Sequence, residues 1–137
     1  MIQKQNGTIL IIFVGLLSVF IASTICVINI NSVVSQQQYL RNVVDQATLI
    51  GVNQIDLNHY YNYGISRELI LDAPEVKKAV SNYIYKSYLN SEILHLDIST
   101  NSGEVEVYLE KRSKLPFDLG INFVKISALA RAKLQAK

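Results

Sequence analysis

His95 and Asp97 stand two apart in one alternating run, and Glu106 and Tyr108 stand two apart in the next. If those runs pair as a hairpin, an imidazole, two carboxylates and a phenol come close to one another. To become a catalytic or metal centre the set would still need a nucleophile or cation and a group to orient the base. On an exposed strand face the same residue types more often serve as surface ion pairs. His59, the second histidine, has Tyr60, Tyr61 and Tyr63 beside it and no acid nearer than Asp56. That cluster is either a small binding surface or a set of tyrosines covering a core with their hydroxyls in water. No GxSxG, HExxH, P-loop or GxGxxG pattern occurs. The single cysteine, Cys26, rules out an intrachain disulfide and any CxxC site. The expectation is a protein with no catalytic residue, no metal ligand and no cofactor, and a small secreted enzyme is the least favoured reading.

The elements that carry these residues explain the composition. The chain has 137 residues and is 50% hydrophobic, but the apolar residues crowd between Thr8 and Ile30. From Gln5 to Leu40 there is no charged side chain. About 20 apolar residues suffice for a helix to cross the hydrocarbon core, and a helix satisfies its own amides there. The run is longer than the core of a cleaved secretory signal, and its small residues Ala22, Ser23 and Thr24 sit inside continuing apolar sequence. A retained transmembrane helix over 8–30 is therefore expected. Gly15, Ser18 and Ala22 offer a small-residue face for close helix packing. Cys26 acts as a small hydrophobe, and Ile25 before it argues against a lipoprotein signal. Lys4 and the terminal amine place the N-terminus in the cytoplasm by the excess of positive charge.

Helical spacing continues beyond the span in Leu40, Val43, Val44, Ala47 and Ile50, with Arg41 and Asp45 as i,i+4 partners. No proline intervenes, and Gly51 is the first weak point. One helix from about Thr8 to about Asn53 follows. Its amphipathic half is either a linker packed on its own domain or a stalk packed on other subunits. Asp72-Ala73-Pro74-Glu75 then starts a second helix, with a capping aspartate, a proline in the first turn and an acid at the positive end. Val76, Val80, Tyr83, Ile84 and Tyr88 line its apolar face.

Beyond Asn90-Ser91 the period falls to two. Leu94, Leu96 and Ile98 form one strand, and Val105, Val107 and Leu109 another, around Asn101-Ser102-Gly103. Lys111 to Gly120 reads as a polar loop. Val124, Ile126, Ala128, Ala130 and Ala132 alternate in a third strand, with a helix over 127–137 as the alternative. The locally basic end (Lys111, Arg112, Lys114, Lys125, Arg131, Lys133, Lys137) reads as a solvated strand face. With a net charge of +2 it gives no footprint for nucleic acid.

The fold class is thus α+β: a long transmembrane and stalk helix, then a small domain of one helix on a three-stranded antiparallel sheet. The expected division is a cytoplasmic N-terminus (1–7), transmembrane helix (8–30), stalk helix (31–56), connecting segment (57–73) and extracytoplasmic αβββ domain (74–137). About 65 residues is few for a domain alone, so burial against the stalk or a neighbouring subunit should complete the core.

Gly7-Thr8, the stretch Arg41-Asn42-Val43-Val44-Asp45-Gln46-Ala47-Thr48-Leu49 and the end Val124-Lys125-Ile126-Ser127-Ala128-Leu129-Ala130-Arg131-Ala132 together carry a resemblance. They resemble the Gly-Ser/Thr step, the R-x-x-x-D-x-A-A-L stretch and the terminal V-x-A-x-A-R-A pattern of TadE/TadG-like proteins of tight-adherence (Flp) pilus systems. The likeness is strongest to the short TadE-like form found beside helicase and secretion genes in actinobacteria. It implies a pilin-like fold and a non-enzymatic minor pilin-like subunit or assembly component in the cell membrane. Its partners would be the lipid bilayer and other pilin-like or Tad assembly proteins, with a homo-oligomer as a further option. Gly15, Ser18, Ala22, Arg41 and Asp45 are the candidate packing residues, and Gly7-Thr8 the candidate processing step. Ile12 stands where many prepilins carry a glutamate five residues after the processed glycine, and the family's alanines are often replaced here by Val, Ile, Gln and Asn. The alternative function is an anchored envelope-adaptor or binding domain using the residues from His59 to Tyr63.

Overall fold

A computed structural model of the chain describes residues 2–54, 61, 71–101 and 103–134, and of residues 2–6 the backbone only. The first element, α1, runs unbroken from Ile2 to Val52. At 1.5 Å per residue its 51 residues extend about 76 Å, far more than a small domain needs. The helix divides by what touches it. From Ile9 to Thr24 every described side chain is exposed, whereas from Ile25 a stripe closes progressively through Asn29, Val33, Leu40, Val44, Ala47 and Gly51. Steps of three, four or seven residues keep the stripe on one side of the helix.

Helix α2 (Ala73–Ser87) starts as its sequence predicts: the Asp72 carboxylate accepts from the Glu75 amide at 3.3 Å, and proline occupies the first turn. It returns antiparallel to α1, from Asp72 N–H donating to the Gln54 carbonyl at one end to Tyr88 against Tyr39 at the other. Val76, Val80 and Ile84 are buried.

Three strands follow: β1 (Ile93–Asn101), β2 (Glu104–Lys114) and β3 (Phe123–Lys133), antiparallel in the order β1-β2-β3. The hairpin turn passes through Gly103 at φ +80°, a conformation that favours glycine. The third run is a strand, so the helical alternative fails for residues 127–133; residues 135–137 lie outside the described residues.

The inner sheet face carries Val105, Val107 and Leu109 from β2 beside Ala132, Ala130 and Ala128 from β3. The alanines are short, so α1 lies directly over β3 and β2 while the larger β2 residues fill the centre. The core of the one-helix, three-stranded domain is therefore completed by the second half of α1, which packs on its own domain. Gly51 is part of that closeness. A Cβ there would meet Val80, Val105 and Val76 at 3.0, 3.1 and 3.3 Å. The predicted weak point is instead a place of close approach, and α1 passes through it.

Two local expectations fail. A bulge between Ile93 and His95 breaks the alternation, so Ile93 rather than Leu94 packs on the core with Leu96 and Ile98. The segment read as a polar loop from Lys111 belongs to β2 as far as Lys114, because the strand continues its inward alternation through Lys111 and Ser113.

Candidate functional site

On the outer sheet face His95 lies opposite Glu110, and Asp97 opposite Tyr108. The His95 and Tyr108 rings are 6.0 Å apart, and the Tyr108 hydroxyl donates to Glu110 at 3.3 Å. Glu106, however, pairs with Arg131, and Glu110 with Lys125 at 3.6 Å. The carboxylates are thus drawn toward the cations of β3, and no group of three or more His, Cys, Asp or Glu is disposed to hold a metal among the described residues. His59, Tyr60 and Tyr63 lie outside the described residues, and Tyr61 is exposed.

The apolar half of α1 is a different kind of site. Ile9, Phe13, Leu16 and Phe20 are 64–67% exposed, and none of the most apolar 18-residue window is buried by the rest of the chain. The core helix of a soluble protein would be covered. Its hydroxyls are satisfied internally: Ser18, Ser23 and Thr24 donate to the carbonyls of Val14, Val19 and Phe20 at 2.8–2.9 Å. A helix so built is long and apolar enough to cross a membrane.

Gly15, Ser18 and Ala22 are all exposed, and a Cβ on Gly15 would meet nothing within 4 Å. They precede Asn29 by 14, 11 and 7 residues, close to four, three and two turns. The small-residue face therefore points to the same side of α1 as the domain. Gly7-Thr8 lies inside α1 rather than ahead of it. Arg41 and Asp45 face an open groove with Tyr108, Ser127, Ala128 and Leu129; they are both exposed and do not close into an ion pair with each other.

Beside Tyr39, in the second half of α1, the structure gathers polar groups that the sequence pattern hid. The Lys111 side chain is only 8% exposed, its ammonium 3.3 Å from the Glu92 carboxylate and 4.1 Å from the centre of the Tyr88 ring. Tyr39 meets Tyr88 edge to face at 5.9 Å. The Tyr88 hydroxyl and the Ser113 hydroxyl are buried and make no hydrogen bond among the described residues. Burial first, then the neighbouring Tyr39, Glu92 and Tyr83, hold the Tyr88 phenol well above the usual tyrosine range. Lysine on a core face is uncommon, and a run of Lys-Arg-Ser-Lys looks like a loop until the period of two is carried through it.

Below this cluster the β2–β3 connection is tied to the helix. The buried Asn29 side chain donates to the Phe117 carbonyl and accepts from the Phe117 amide, both at 3.1 Å. Gln36 donates to the Lys114 carbonyl at 3.1 Å, and Gln37 to the Ser127 carbonyl at 2.6 Å. Three amide side chains on one helical stripe thus hold the end of β2, the loop and β3 against α1. The signal that the reading of Lys111 to Gly120 as a polar loop passes over is the alternation Leu115, Phe117, Leu119, continued by Ile121 and Phe123. Comparison with protein-family models, with curated proteins and with solved structures finds no match to this chain.

Proposed function

We propose that this protein is a membrane-anchored, pilin-like subunit that works by packing rather than by catalysis, as a minor component or assembly factor of a Tad/Flp-type pilus or secretion system. The reading places its N-terminus in the cytoplasm, α1 through the bilayer and the αβ domain on the extracytoplasmic side. The observation that supports it is the double use of one helix: bare and apolar over its first half, part of the domain core over its second. A subunit so made can transfer from lipid to neighbouring helices, because either surrounding covers the same side chains. The face with most room for a second helix is Gly15, Ser18 and Ala22, and the exposed Arg41 and Asp45 offer a separate contact beyond the span, on another side of α1.

The test uses the full chain in its own cell envelope, with Cys26 replaced by serine and single cysteines introduced as Ser18→Cys and Asp45→Cys. Carbonate extraction should leave the protein in the membrane, and protease added from outside should reach the domain. Short-linker crosslinking should yield contacts with pilin-like partners, or with copies of this chain offset along α1, from position 18, and contacts of either kind from position 45. An extractable protein defeats the anchor. An anchored chain that never crosslinks defeats assembly and favours an envelope adaptor acting through the residues around Tyr61.

A further inference from the structure

The β2–β3 connection exposes an unusual amount of apolar surface for a loop. Phe117, Leu119 and Ile121 are 44%, 55% and 59% exposed, and Phe123 at the start of β3 is exposed as well. Leu89, just past α2, is also exposed and shares with Leu115, Phe123, Arg112 and Lys114 the wall of an open groove of about 550 Å³. Scattered apolar side chains on a surface call for no explanation, but a contiguous set marks a contact.

Its position says which contact. The Asn29 clamp on Phe117 fixes the loop at the height of residue 29 on α1, where the apolar run from Thr8 to Ile30 ends. That run of 23 residues rises about 35 Å, slightly more than the hydrocarbon thickness of about 30 Å. The loop polar groups are turned on one another: Asp118 accepts from the Gly120 amide at 2.8 Å, and the Asn122 amide, oriented donor to acceptor, reaches both Asp118 oxygens at 2.9 and 3.1 Å. Above the apolar tips stand cations, with Arg112 over the Phe123 ring at 4.8 Å and Lys114 exposed beside it. Apolar tips below and long basic side chains above are the order of an interfacial membrane contact.

We propose that the β2–β3 loop is a second membrane contact, in which Phe117, Leu119 and Ile121 enter the headgroup–acyl boundary of the bilayer that α1 spans. Arg112 and Lys114 then lie at the level of the lipid phosphates. The domain is held against the bilayer at two points, which removes its freedom to tilt about the end of the span. This inference rests on α1 crossing the membrane, and the experiment separates the two claims.

The full chain with Cys26→Ser is reconstituted into vesicles of equimolar phosphatidylcholine and phosphatidylglycerol. Single cysteines made by Phe13→Cys, Leu119→Cys and Leu129→Cys carry a fluorophore, and nitroxide lipids serve as quenchers. Leu129 is an exposed apolar residue on the outer sheet face and marks the domain away from lipid. The expected result is strong quenching at positions 13 and 119, several-fold above that at 129. Quenching at 13 with none above the Leu129 level at 119 overturns the loop contact and leaves the anchor. Absence of quenching at 13 removes the anchor and the loop contact with it. In an Asn29→Ala background the signal at 119 should fall toward that at 129 while that at 13 holds. An unchanged signal would overturn the positioning role of Asn29.

Discussion

Tyr88 offers a test in which the sign of the effect is set by one atom. Its ring is held on two sides, by Tyr39 edge to face at 5.9 Å and by the Lys111 ammonium at 4.1 Å. Both contacts use the ring and survive in Tyr88→Phe. What the substitution removes is a buried hydroxyl without a hydrogen bond among the described residues. Such a group forfeits its hydration on folding, at a cost of about 1–3 kcal/mol, so Tyr88→Phe should stabilise the domain by about 1 kcal/mol at neutral pH. The pH dependence adds a second readout. The folded-state pKa of Tyr88 is raised, so the unfolded chain releases this proton first. Stability from this group is complete below about pH 10 and is lost as pH climbs toward the folded value, at no more than about 1.4 kcal/mol per pH unit. Tyr88→Phe should lose that part of the slope. The assay is urea unfolding of the full chain in detergent micelles, followed by near-ultraviolet circular dichroism between pH 7 and about 11. A variant destabilised by about 1 kcal/mol would show that the hydroxyl is bonded, and an alkaline slope like that of the parent would show that the fold does not hold its proton; either result refutes the reasoning.

Other substitutions probe the remaining joints. Glu92→Gln should cost about 1–2 kcal/mol in the same unfolding assay, because the Lys111 ammonium loses its carboxylate while Glu92 is itself one-third exposed. Lys111→Met, which keeps the stem and removes the charge, should fall within about 1 kcal/mol of the parent. Leu40→Ala, at a fully buried position on α1, should destabilise the domain by about 2–5 kcal/mol without altering carbonate extraction. Gly51→Leu should cost about 1–3 kcal/mol by forcing apart α1, α2 and β2, read as a lower urea midpoint.

Much of the fold is legible because its signals are local. The Asp72-Ala73-Pro74-Glu75 cap, the turn at Gly103 and the alternation from Ile126 to Ala132 each act within a few residues, and each appears where the pattern puts it. The unbroken α1 follows from periodicity and the lack of proline before Gly51. What stayed hidden depends on tertiary partners. Ile93 and Leu94 are both apolar, so only the pairing with β2 decides which faces the core. Lys111 is buried because Glu92 and Tyr88 receive its ammonium, and neither is near it in sequence. The amides of Asn29, Gln36 and Gln37 give no local sign of their partners, strand or loop carbonyls 78 to 90 residues away. Of the candidate site, the small face of the span was visible in residue size, whereas the apolar loop was masked by Pro116 and the neighbouring charges.

The alignment of Gly15, Ser18 and Ala22 beneath Asn29 limits who can dock there. A helix seated in that seam runs out of headroom at the β2–β3 loop, which overhangs it like an eave. In the proposed membrane arrangement a second copy at equal height would need the same space for its own domain, which disfavours a level, side-by-side pair through this seam. Under that arrangement copies share the seam when one is offset along the helix direction, the stagger of a spiral stack, and a level neighbour is a chain with little mass on that side.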